Sequence, residues 1–181
     1  MKSSLLLICV SLVSTTALAQ RQSPDFATKS AAMKKLEFLV GTWKGVGSIK
    51  FGGRMFKFAG TETVQTKIGG LAVIVEGVHK IKLPDGKERV IHNALGIITY
   101  EPNSKVYRFV AHLSNGRSGK YTAKLVDDVT LRWILPNSPL GKMRYTIKVG
   151  NDMWHEIGES SQDGKKWKQF FEMKLKKTAL K

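Results

Sequence analysis

Two glutamates and four histidines carry the side chains best placed to do chemistry here: Glu62 and Glu156, with His79, His92, His112 and His155. A carboxylate pair can divide acid and base work between its members, and histidine can hold a metal or move a proton near neutral pH. Zinc needs three or four convergent ligands, and no spacing of the His-Glu-x-x-His kind occurs. Nothing in the spacing brings Glu62 and Glu156 together. The serines fall mostly in turns and lack a Gly-x-Ser-x-Gly elbow. Gly41, Gly45 and Gly47 open a strand, whereas a phosphate-cradling loop opens a helix. No metal or cofactor is expected, and the chain reads more readily as a binder than as an enzyme.

The elements that must position these residues are strands. After Trp43 the apolar period becomes two, and turn formers recur: Gly52-Gly53, Gly69-Gly70, Pro84-Asp85-Gly86, Pro102-Asn103-Ser104, Asn115-Gly116, Asp127-Asp128, Pro136 to Gly141, Gly150-Asn151-Asp152 and Gln162-Asp163-Gly164. These turns separate about ten strands. Met143, Tyr145, Ile147 and Val149 oppose Lys142, Arg144, Thr146 and Lys148, so one face is buried and the other wet. The short connections leave no room for crossover helices. The fold class is therefore all-β, and rolling the sheet until its first strand meets its last hides both edges. An antiparallel up-and-down β-barrel is preferred over a two-sheet sandwich, which needs longer connections than Pro136 to Gly141.

On that parity Glu62 shares a face with Phe56, Phe58 and Val64, and His79 shares one with Val73, Val75 and Ile81. Tyr107, Phe109, Trp133 and Tyr145 line the same interior. A barrel of this size holds side chains alone or one small ligand, and an inward polar group needs a partner. The candidate ligand-binding residues are Glu62, His79, Tyr107, Trp133 and Tyr145. The parity of His92, His112 and His155 stays open, because both faces of their strands are partly apolar. Trp167 and Tyr107 are placed inward, which argues against stacking on nucleic acid; no nucleic-acid partner is expected.

Before the strands, Ser23-Pro24-Asp25 reads as a helix start with Ser23 supplying the cap oxygen and Pro24 in the first turn. Ala32, Leu36 and Leu39 form an apolar face with Met33 beside them. The helix is expected to pack across one mouth of the barrel. Residues 1–19 have the charged start, apolar run and Ala17-Leu18-Ala19 end of a secretory signal, so an exported, periplasmic or secreted chain is expected. The only cysteine, Cys9, lies in that leader and follows Ile8, where a lipid-attachment site needs a small residue. The division is 1–19 signal peptide, 20–35 helical lead-in, 36–177 barrel and 178–181 basic tail. Thirty Lys and Arg against fourteen Asp and Glu give a formal charge of +16. That field attracts anionic membrane or wall polymer.

Phe38-Leu39-Val40-Gly41-Thr42-Trp43-Lys44-Gly45-Val46-Gly47 resembles the first-strand motif of lipocalin-like, or calycin, barrels, whose Gly-x-Trp tryptophan plugs the closed end. It is also similar to the Gly-x-Trp-x-Gly-x-Gly opening of nitrobindin-type haem barrels, although Ser48-Ile49-Lys50-Phe51-Gly52-Gly53 stands where that family has a proline-containing segment. Leu95 to Asn103, the Arg144 strand and Ser160 to Trp167 resemble a family of uncharacterised bacterial lipocalin-like proteins. These resemblances imply a barrel closed by Gly41, Trp43, Gly45 and Gly47. They imply a small hydrophobic or amphipathic ligand, and the positive charge of the chain favours one with an anionic head. The alternatives are haem held by one histidine, His79 or His155, a ligand-free interaction protein on an anionic surface, and a barrel enzyme.

Overall fold

The computed structural model describes residues 23–178 apart from residue 140. The signal-peptide reading and residues 179–181 of the basic tail lie outside the described residues. Helix α1 (Phe26–Lys34) and a 3-10 turn (Glu37–Leu39) precede ten strands: β1 Gly41–Phe51, β2 Arg54–Lys67, β3 Ala72–Lys82, β4 Glu88–Glu101, β5 Val106–Leu113, β6 Ser118–Asp127, β7 Thr130–Ser138, β8 Gly141–Gly150, β9 Met153–Ser161 and β10 Lys168–Thr178. Each strand pairs antiparallel with its sequence neighbours, and β1 pairs with β10 from Thr42↔Thr178 to Ile49↔Phe171. The sheet is thus a closed up-and-down barrel, not a sandwich, and no edge is left at the seam. Thr178 belongs to the last strand, not to a tail.

The helix starts later than the residues Ser23 and Pro24 suggest. Asp25 occupies the N-cap position without a side-chain bond, and the backbone N–H of Phe26 donates to the Ser23 carbonyl at 2.9 Å. Ser23 is two residues too early to cap, and Pro24 fixes the turn before the helix instead of its first turn. Met33, Leu36 and Leu39 are completely buried and join the barrel core. The Tyr107 hydroxyl, on β5, donates to the Ala32 carbonyl at 2.8 Å and ties the helix across this end. Tyr107→Phe is expected to cost about 1 kcal/mol and to speed hydrogen exchange in residues 26–34 ahead of the strands; unchanged exchange there would contradict the tie.

Trp43 is buried beside this end of the barrel, its indole N–H donating to the Leu39 carbonyl at 2.8 Å, with the Trp154 ring 5.8 Å away. The glycines that follow it on the same face admit close neighbours. A Cβ on Gly45 would collide with the Lys174 carbonyl, and one on Gly47 with the Phe58 ring.

Three strand readings need correction. Phe56 does not line the interior but is 42% exposed. At its level β2 has parted from β3: β3 runs on to Lys82, but its pairing with β2 reaches only Ala59↔Lys80. Trp167 lies on the outer wall with the Arg144 guanidinium 4.2 Å from its ring centre. A register shift between Gln169 and Phe171 reverses the parity before it, and Phe170 packs against the core. Residues 136–138, expected in a loop, continue β7; an irregularity between Leu135 and Ser138 accommodates Pro136, which has no N–H to donate.

Candidate functional site

Register sets four residues in a row around the wall: Trp43 lies opposite Glu62, Glu62 opposite Gly77, and Gly77 opposite Ala94. Gly77 makes the site possible. An added Cβ there would sit 2.7 and 2.9 Å from the two Glu62 carboxyl oxygens. The carboxyl therefore lies over bare backbone and reaches diagonally along β3 to His79, whose Nε2 is 3.0 Å from Glu62 Oε1. His79 in turn stands opposite His92 on β4, and their rings stack at 4.7 Å. Phe58 covers the other side of His79 at 4.6 Å.

A second carboxyl completes the cluster. Glu156, on β9, accepts a hydrogen bond from the indole N–H of Trp154 at 3.2 Å, the two side chains being neighbours on one face of the strand. Glu62, Glu156, His79 and His92 all line an internal cavity of about 110 Å³. Ile98, Phe109, Leu131, Trp133, Ile147 and Trp154 supply much of its apolar wall.

Burial decides the charge state. It pushes Glu62 up to about 8 and His79 down to about 4. Glu156 also rises to about 8, mainly by burial and further through the charge of Glu62, against the pull of the Trp154 bond. His92 falls to about 4, by burial first and then by proximity to His79. Near neutral pH all four groups are therefore uncharged, and the Glu62–His79 contact is a neutral hydrogen bond, not an ion pair. Burial raises the Tyr145 hydroxyl as well, with Glu156 and Tyr121 adding to it.

Of the residues singled out from the sequence, Glu62, His79 and Trp133 share this cavity. Tyr145 stacks against Trp133 at 5.3 Å without lining the cavity. Tyr107 is elsewhere, at the helix, with its hydroxyl engaged by Ala32. His155 faces outward and meets Glu172 at 2.9 Å, and His112 is exposed. The sequence reading did not place His92, Trp154 and Glu156 in the interior, because apolar residues alternate on both faces of β4 and β9. The available signal was the run Trp154, Glu156, Gly158, where a large ring and a bare backbone position share one parity.

The cavity as it stands in this structure does not fit haem. A porphyrin is far larger than a 110 Å³ cavity, and of the two histidines that line it His79 spends Nε2 on Glu62 while His92 is stacked against His79. Nor do three or more His, Cys, Asp or Glu side chains among the described residues converge as a metal site.

No protein-family model matches the chain, and no curated protein matches it. Solved structures do match. The crystal structure of Rv2717c from M. tuberculosis superposes with a TM-score of 0.61 over 82% of this chain and 98% of that one, at 15% identity. At that identity the likeness shows the closed barrel, and a barrel of this kind is compatible with ligand binding.

Proposed function

We propose that the barrel is an exported binding protein that holds one small, uncharged amphipathic molecule, about the size of a single aromatic ring, in its interior. The observation that carries this reading is the cavity itself: about 110 Å³, with apolar walls and four polar side chains gathered around it. Drug-sized ligands occupy pockets of roughly 300 Å³ or more, whereas an apolar cavity of roughly 150 Å³ accepts benzene. The environment that keeps two carboxyls and two imidazoles neutral penalises a charged ligand in the same way. The polar end of a neutral guest would hydrogen-bond to Glu62, Glu156 or the imidazoles, and its ring would lie against Trp133, Trp154 and Phe109. Export is supported by the leader-like residues 1–19.

The test is a thermal-shift and calorimetric series with phenol, indole and benzamide as neutral probes and benzoate and benzylamine as charged counterparts. Neutral probes are expected to raise the melting temperature and the charged pair to leave it unchanged. Ala111→Leu, which fills the cavity from its wall, is expected to abolish the shift while the circular dichroism spectrum stays that of a β-barrel. A null result with every neutral probe, or undiminished binding to Ala111→Leu, would overturn the reading.

A further inference from the structure

The end of the barrel away from the helix carries a second feature, independent of the cavity. The β1–β2 hairpin closes through Gly52 and Gly53, both at positive φ (56° and 79°), and continues past the last pair it makes with either neighbouring strand. Its pairing with β10 stops at Ile49↔Phe171, and its pairing with β3 starts at Ala59↔Lys80. The tip is held only by its own two strands. On it stand Phe51, Met55 and Phe56, exposed by 73%, 60% and 42%. Large apolar side chains gathered on a projecting tip mark a contact surface.

The charges around that tip are of one sign. Lys50, Arg54 and Lys57 are exposed beside the three apolar residues, and no acidic residue occurs between Glu37 and Glu62. The neighbouring β3–β4 hairpin adds exposed Lys82, Lys87 and Arg89 and the exposed apolar Val90 and Ile91. Its two acids are engaged locally, Glu88 with Lys80 at 2.9 Å and Asp85 with Lys87 at 3.5 Å.

We infer that the projecting β1–β2 hairpin docks the barrel on a lipid bilayer that carries anionic headgroups, with Phe51, Met55 and Phe56 entering the interface and the flanking lysines and arginines meeting the headgroups. Charge complementarity points to an anionic partner, and shape selects the bilayer. A stable protein interface needs roughly 1,000 Å² of complementary area, whereas a membrane surface accepts a projecting apolar tip without a matching pocket. Long basic side chains lay their stems along the apolar layer while the charges stay with the headgroups. Each such cation strengthens binding to an anionic surface by roughly fivefold.

The test is co-sedimentation of the full chain with phosphatidylcholine vesicles, with and without phosphatidylglycerol. Binding is expected only to the anionic vesicles and should weaken as salt rises. Phe51→Ser/Met55→Ser/Phe56→Ser changes only exposed side chains, so the fold should survive, and binding should fall by tenfold or more. Lys50→Glu/Arg54→Glu/Lys57→Glu should abolish it. Lys44→Glu/Lys176→Glu, a charge reversal at the helix end of the same sheet region, should have a much smaller effect. Phe51→Trp supplies a reporter whose emission should shift to the blue on anionic vesicles. If the triple serine variant sediments like the parent and the emission of the Phe51→Trp variant does not move, the protein adsorbs by overall charge and the inference is overturned. Equal binding to neutral vesicles, or a tip-dependent dimer in solution without vesicle binding, would overturn it as well.

Discussion

Raising the pH from 6.5 to 8 is expected to lower the unfolding free energy by roughly 2 to 3 kcal/mol, a direction opposite to that of a protein stabilised by ionised carboxylates. Glu62 and Glu156 stand at about 8 in the folded chain against an ordinary 4.5. The folded state thus holds protons that the unfolded state has released. Their contribution is full below pH 4.5 and is lost as the pH rises toward and through 8. His79 and His92 behave in the opposite sense, falling from 6.5 to about 4. Their contribution is full above pH 6.5 and is lost as the pH drops through 4. Between 4.5 and 6.5 the two slopes oppose each other, so stability should be greatest there and fall on both sides. Urea denaturation across pH 4 to 9 reads this directly. Glu62→Gln/Glu156→Gln, neutral at every pH and still able to accept the Trp154 N–H, should remove the fall above pH 6.5. A parent protein whose stability is level from 6.5 to 8 would mean that water solvates these carboxyls and that burial does not keep them protonated.

Trp43→Ala should be the most damaging single change, costing about 3 to 5 kcal/mol in urea denaturation. Trp43 is 1% exposed, touches Trp154, and holds the 3-10 turn through its bond to Leu39. Truncation leaves a void in the core and frees the segment that carries Leu36 and Leu39 over the barrel end. Trp43→Phe should fill most of the space but lose the bond, and so cost about half as much. A loss below about 1 kcal/mol for the alanine variant, well short of the usual cost of a buried tryptophan, would show that this end tolerates water.

Much of this architecture is written locally. Two-residue periodicity opposed lysines to aromatic and aliphatic side chains, and paired turn formers marked where each strand ends. With short connections, that is enough to require antiparallel neighbours in sequence order, and burying both edges then requires closure. The inward placement of Glu62 and His79 followed from the same alternation, because each shares its face with unambiguous core residues.

Tertiary structure decided the rest. Alternation says which residues share a face but not which face is inside when both are apolar, so Glu156, Trp154 and His92 could be assigned only once β9 and β4 were paired to their neighbours. A single bulge adds one residue and turns every side chain before it to the other face, which is how Trp167 came to lie under Arg144 outside the barrel. Phe56 keeps the inward parity, but β2 has parted from β3 at its level, so the side chain is left exposed. The site depends most of all on Gly77, whose missing side chain lets the Glu62 carboxyl cross to His79. That vacancy has meaning only when cross-strand register sets the glycine opposite the glutamate, and no spacing along the chain contains it.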